Sequence, residues 1–195
     1  MSFLKNIFNS PKQKESEVEH PEIENLSLDQ IFVKNFISNK GKFLYCTTLP
    51  EVIENLSEII QENKWEILNC NDVDLLKLCK KVGVNTSDDV SNSHPFFVGC
   101  EHLIAENGSI LFSSNQLKEC KITELPDDFI VYATTSQLVK TKGESLTGIK
   151  SRYQGNIPSN ISAIKNYSLN HKEKDFMTYG STNTKNLYLL LFEDL

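Results

Sequence analysis

The chain has 195 residues, 39% of them hydrophobic and 24% charged, with a formal net charge of −6 at pH 7. Such a balance is ordinary for a globular domain, and the acidic surplus argues against nucleic acid as the main partner, because phosphate binding needs a basic footprint. No run of 18 apolar residues occurs, so no membrane-spanning helix is expected.

The first nine residues carry Phe3, Leu4, Ile7 and Phe8 at helical spacing. They read as a short docking arm that covers part of this domain or a sister subunit, and so point to a homo-oligomer. They lack the apolar core and cleavage site of a signal peptide. Residues 9–25 contain Pro11, Pro21 and the acidic string Glu15, Glu17, Glu19, Glu22 and Glu24, and read as a solvated linker. The division expected is therefore an arm and linker over 1–25 and one α/β domain over 26–195.

Within the domain, Ser27 can cap a helix with Ile31, Phe32, Phe36 and Ile37 on its apolar side, ending near Gly41. Residues 42–47 form a compact apolar run, expected as a buried strand. Pro50 then opens a helix whose stripe of Val52, Ile53, Leu56, Ile59 and Ile60 follows the 3.6-residue period. A second strand is expected over 65–70, and a further helix carrying Leu75, Leu76, Leu78 and Cys79, stopped by Gly83. Strand, helix, strand, helix at these lengths is the signature of a mainly parallel sheet covered by helices. Residues 85–94 read as a polar loop, 95–99 and 109–113 as strands, and 125–128 as a turn feeding a strand over 129–133. A helix is expected around 137–139 or 146–153. The polar segment 155–186 reads as a long functional loop or as containing one short helix near 161–167, and 187–192 as a final strand, central in the sheet because it is almost wholly apolar.

The stretch around which these elements are organised runs from Glu101 to Phe112. Its Asn107-Gly108 pair permits positive φ and a tight reversal, which sets Glu106 at the rim of a strand. Functional groups gather on loops held by rigid elements, so Glu106 is the candidate reactive or ligand-binding carboxylate. The structural alternative is that it only accepts backbone N–H bonds within its turn. The five cysteines, Cys46, Cys70, Cys79, Cys100 and Cys120, contain no C-x-x-C pair and read as reduced, mostly buried thiols, which makes a cytoplasmic location the default. Cys100 lacks a nearby base and reads as apolar filler. His94 and His102 lack the partners a metal site needs, so neither metal nor cofactor is expected.

Phe96-Phe97-Val98-Gly99 followed by Leu103-Ile104-Ala105-Glu106-Asn107-Gly108-Ser109-Ile110 resembles the glycine-ended strand and AETGT-like core of the LUD domain, found in lactate-utilisation proteins, notably their C subunit. The likeness covers roughly residues 28–195, and Gly180 with the polar turn 181–185 resembles the family's terminal turn before its last strand. The GPSRTADIE-like segment and HGP-like turn of standard members are missing from 160–184, so the chain looks like a divergent branch.

The resemblance implies a three-layer α/β/α sandwich with a mainly parallel sheet, the fold group of ribose-5-phosphate isomerase, glucosamine-phosphate deaminase and the CoA transferases. Within that group the CoA transferases carry a Ser-Glu-Asn-Gly motif whose Glu is the nucleophile, and Ala105-Glu106-Asn107-Gly108 is similar to it in three positions of four. The reading that follows is an accessory, ligand-binding protein of lactate (organic-acid) utilisation, with iron–sulfur lactate-oxidation subunits as partners. Its pocket, at the carboxyl ends of the strands, is expected to be bounded by Glu106, Asn107 and Gly108 with Gly180, Ser181, Thr182, Asn183 and Lys185, and to take a small anion: an organic acid, a sugar phosphate or a CoA ester. Lys185 would supply the positive charge. The alternative is an acyl-CoA transferase or a sugar-phosphate isomerase relative that uses Glu106 as nucleophile or base.

Overall fold

The computed structural model describes residues 26–89, 94–168 and 183–194. The expectation of an arm and linker over 1–25 falls outside them.

Helix α1 (Leu28–Ser38) leads into β1 (Lys42–Cys46), and α2 (Leu49–Asn63) follows. Thr48 caps α2 by accepting from the Glu51 N–H at 3.3 Å, Pro50 lies in the first turn, and Val52, Leu56, Ile59 and Ile60 are buried. Next come β2 (Ile67–Asn69), α3 (Val73–Val82) and β3 (Asn85–Ser87). Asp72 caps α3, and Gly83 ends it in the left-handed region at φ 81°. The rest of the chain forms β4 (Phe96–Val98), β5 (His102–Ile104), β6 (Ser109–Phe112), α4 (Ser114–Leu117), β7 (Asp128–Thr134), β8 (Leu138–Val139), α5 (Lys142–Tyr153), β9 (Ser162–Ile164) and β10 (Asn186–Phe192).

Six strands form a parallel sheet in the order β1-β10-β7-β4-β2-β3. Strand β10 is flanked by β1 and β7 and covered on both faces, which is why Leu187 through Leu191 are all buried rather than alternating. On one face α2 and α3 enclose a cluster with Leu68, Phe97, Ile130 and Leu190. On the other, Phe32, Val33 and Phe36 of α1 join Phe96, Val98, Phe129, Val131 and Leu189. The chain thus forms the expected α/β architecture of a parallel sheet flanked by helices. Its second outer layer is mixed. Beside α1 lies a four-strand sheet in the order β8-β5-β6-β9. Leu103, Ile110 and Phe112 of this small sheet face the main core, while Ile104 and Leu111 face Ile149 of α5, the two-residue alternation of strands.

Two local expectations are corrected, and a third, which left two placements open, is decided. Asn85–Ser87, read as loop, is an edge strand that among the described residues pairs with β2 alone; its polar side chains suit a sheet margin. Ser162–Ile164, within the segment read as a long functional loop or a short helix, pairs antiparallel with β6 and buries Ile164. Of the two placements expected for the helix of the 134–154 region, the later one holds, as Lys142–Tyr153, while Leu138 and Val139 pair with β5.

Candidate functional site

Carboxyl ends of parallel strands converge on a cleft of about 560 Å³, past β2, β4 and β7. One wall is Asn71, Asp72 and Val73, where β2 hands over to α3; the floor is Phe96 through Cys100; Asn115, Gln116 and Lys118 of the α4 region, with Tyr132 and Gln137, close the other side. Asp72 is occupied by the N–H groups of Asp74 and Leu75, at 2.8 and 3.1 Å, and Asp74 pairs with Lys77 at 2.7 Å. Gln137 fixes the backbone after β4 by donating to the Cys100 carbonyl at 2.6 Å while accepting from the Thr134 N–H at 2.8 Å.

Behind this wall sits a buried carboxylate. Glu101 is 1% exposed, and its Oε1 accepts from Ser113 Oγ at 2.6 Å and from the amides of Asn115 and Gln116 at 3.1 Å each. The Tyr153 hydroxyl donates to the same carboxylate at 3.1–3.2 Å, and Arg152 lies 3.5 Å away. Burial pushes the Glu101 pKa up, but the hydrogen bonds from Ser113, Gln116, Asn115 and Tyr153 outweigh it and hold the carboxyl below its ordinary value. The neighbouring Cys100 thiol is pushed well up by burial and by the Glu101 charge, so it stays neutral and un-nucleophilic. His102 is depressed, chiefly by burial; its Nδ1 lies 3.4 Å from the Gln137 carbonyl, and its Nε2 abuts Gly148, where an added Cβ would approach to 3.0 Å.

The Ala105-Glu106-Asn107-Gly108 turn lies elsewhere. Asn35 and Asn39, at the end of α1, donate to the Ala105 and Asn107 carbonyls at 2.8 Å each. Since α1 ends beside the start of β1, the turn occupies the amino-terminal edge of the large sheet, opposite the cleft. Gly108 has φ 66°, and a Cβ there would come within 2.5 Å of the Asn35 and Phe36 backbone. Asn107 Oδ1 accepts from Ser109 N and Oγ at 3.0 and 2.6 Å. Exposed Glu106 accepts from the Lys142 N–H at 3.0 Å, the first residue of α5. Its bond is therefore to a helix start 36 residues on rather than within its own turn.

Lys185 is a correction to the sequence reading. It is 3% exposed, donates to the Leu125 carbonyl at 2.7 Å and lies 3.6 Å from Asp127, so its charge is directed into the protein. Burial lowers its pKa, and Asp127 opposes that. Asn183 donates to the Ala163 carbonyl at 3.4 Å. Gly180, Ser181 and Thr182 lie outside the described residues. Glu106, Asn107 and Gly108 are thus brought together, but neither they nor Asn183 and Lys185 line the cleft.

The LUD domain model matches residues 29–192. The chain belongs to the LUD domain family. Among solved structures, the crystal structure of a DUF162 family protein from Deinococcus radiodurans aligns with 87% of this LUD-domain chain and 99% of its own, at 11% identity and a TM-score of 0.59, a likeness of fold. Ribose 5-phosphate isomerase A from Methanocaldococcus jannaschii aligns over 60% of this chain and 58% of its own, at 17% identity and a TM-score of 0.30. No curated protein matches the chain.

For this LUD-domain protein, sequence reasoning passed over Glu101, although the residue opens the organising stretch. A charged residue beside an apolar strand was the available signal. Its donors come from 113–116 and 152–153, so nothing local marked it as buried.

Proposed function

We propose that this LUD-domain protein is an accessory, ligand-binding component of lactate (organic-acid) utilisation, and that it takes a small anion in the cleft past β2, β4 and β7. One observation carries the reading: an open cleft of about 560 Å³, whose polar lining combines amides and Lys118 with Asp72 and Asp74, at the strand ends where open α/β sheets hold ligands. Glu101 keeps two of the lining amides, Asn115 and Gln116, in fixed orientations, a preorganisation that favours binding. On this reading, electron transfer belongs to iron–sulfur partner subunits.

The test is a thermal-shift series with lactate, pyruvate, sugar phosphates, CoA and acyl-CoAs, run on wild type and Val73→Trp. Val73 is 70% exposed at the cleft wall, so the indole narrows the mouth without disturbing the core. A ligand at 100 times its Kd adds about 2.7 kcal/mol of stability. A wild-type shift abolished by Val73→Trp supports the reading; a shift retained in that variant, or none with any of these compounds, refutes it.

A further inference from the structure

Lys118 stands in a backbone conformation that belongs to glycine. Its φ of 55° and ψ of −133° differ from those of Lys64, which ends α2 at 56° and 39° in the ordinary left-handed region. The Cys120 N–H donates to the Leu117 carbonyl at 3.1 Å, so Lys118 is the second residue of a four-residue turn, where this combination suits a II′-type reversal and glycine is the usual occupant. The turn is clamped from outside: Asn160 donates to the Cys120 carbonyl at 2.7 Å, and the Ser114 N–H donates to the Ser159 carbonyl at 2.8 Å. A non-glycine residue held this way is strained, and such strain persists where the surroundings over-determine it, characteristically at binding sites.

Among the described residues Lys118 is also the one cation lining the cleft, and no carboxylate lies within 4.0 Å of its ammonium. The lining carries two carboxylates, Asp72 and Asp74, against this one ammonium. Asp74 is held by Lys77, so Asp72 is the carboxylate that opposes a ligand; one ammonium balances a monoanion, whereas a dianion brings an uncompensated charge beside Asp72. Asn115 completes the selection. A carboxylate accepts only, so Glu101 fixes the Asn115 amide with its NH₂ inward and leaves the carbonyl oxygen as the group free to accept from a ligand hydroxyl.

We propose that Lys118 is the specificity-determining residue of the cleft: held in a glycine-type turn at a cost in stability, its ammonium anchors a singly charged carboxylate and leaves phosphate dianions and phosphate esters disfavoured. This rests on the cleft being the ligand site. Two variants separate strain from charge. Lys118→Gly removes both, and Lys118→Met keeps the strained backbone and the apolar stem while deleting the ammonium. Without ligand, Lys118→Gly raises the melting midpoint by about 2–6 °C and Lys118→Met leaves it close to wild type. With sodium lactate, sodium pyruvate, lactamide and inorganic phosphate as probes, the two carboxylates shift wild type, lactamide and phosphate do not, and both variants bind the carboxylates at least tenfold more weakly. An unchanged or lower midpoint for Lys118→Gly overturns the strain assignment. A carboxylate shift that survives in Lys118→Met but disappears in Val73→Trp overturns the role of Lys118 while leaving the cleft as the site. A phosphate shift equal to that of lactate overturns the charge selection, and no wild-type shift with any probe overturns the cleft reading along with it.

Discussion

Replacing Glu101 with Gln changes one oxygen for an NH₂ group in a site enclosed by the protein. The amide oxygen can stay where Oε1 now accepts from Ser113, Asn115 and Gln116, while the NH₂ faces Arg152 at 3.5 Å and the Tyr153 hydroxyl, which can rotate to accept. Shape and the bonds to the retained oxygen survive, while the Arg152 contact is lost, since an NH₂ and a guanidinium both only donate, and charge assistance goes with it. Hydrogen bonds to charged groups contribute about 1.5–3 kcal/mol each against about 1 for neutral ones, and the set shares one acceptor, so the losses do not add. We expect Glu101→Gln to destabilise by about 2–3 kcal/mol and Glu101→Ala, which strands every donor, by about 3–5 kcal/mol. The assay is urea unfolding at pH 7 and near pH 4. The folded pKa of Glu101 lies below its ordinary 4.5, so its contribution is complete above that value and is lost as pH falls toward the folded pKa. The gap between wild type and Glu101→Gln should therefore narrow near pH 4. A gap under about 0.5 kcal/mol at pH 7, within the range of ordinary surface substitutions, or the same gap at both pH values, refutes the account.

Other variants test neighbouring parts of the argument. Gly108→Ala combines a disfavoured φ of 66° with a backbone approach of 2.5 Å, and should cost about 3 kcal/mol in urea unfolding; a cost below 1 kcal/mol would show that α1 yields easily. Glu106→Gln loses a charge at the start of α5 and should cost only about 0.3–1 kcal/mol. Mass spectrometry of wild type with acyl-CoAs should find no acyl or CoA adduct on Glu106, since its carboxylate caps a helix at the edge opposite the cleft; an adduct would restore the transferase alternative. Lys185→Met should cost about 1–3 kcal/mol, because Asp127 is 72% exposed and stays solvated without its partner while the buried Leu125 carbonyl loses its donor. It should also keep any lactate shift, and losing that shift would return Lys185 to the binding site.

Periodic patterns in the sequence were legible because burial wrote them. The α2 stripe and the unbroken apolar run of β10 each report which faces are covered, and both carry through to the structure. On α1 the buried stripe is Phe32, Val33 and Phe36, whereas Ile37, which the spacing places on the apolar side, is 42% exposed. Ser162–Ile164 was beyond reach, because its pairing partner in β6 lies about 50 residues away and three residues are too few to show a period. The cleft was harder still. Its walls come from 71–75, 96–100, 115–118 and 132–137, and only the sheet order brings them together.

Two glutamates five positions apart show what local reading can and cannot decide. Glu106 has the stronger signal, since an Asn-Gly reversal announces a turn at once, yet the environment is a helix start and open solvent, which asks of it only a hydrogen bond. Glu101 has almost no signal, yet its environment removes water and supplies hydroxyl and amide donors along with a nearby guanidinium. The Asn-Gly pair specifies a backbone reversal, and the chain uses that reversal to close a hairpin against α1. What makes a carboxylate matter is the set of donors the fold gathers round it, and those donors lie as far as 52 residues along the sequence. The Asn107-Gly108 reversal therefore builds scaffold, while Glu101 and Lys118 are held by donors and carbonyls from segments distant in the chain.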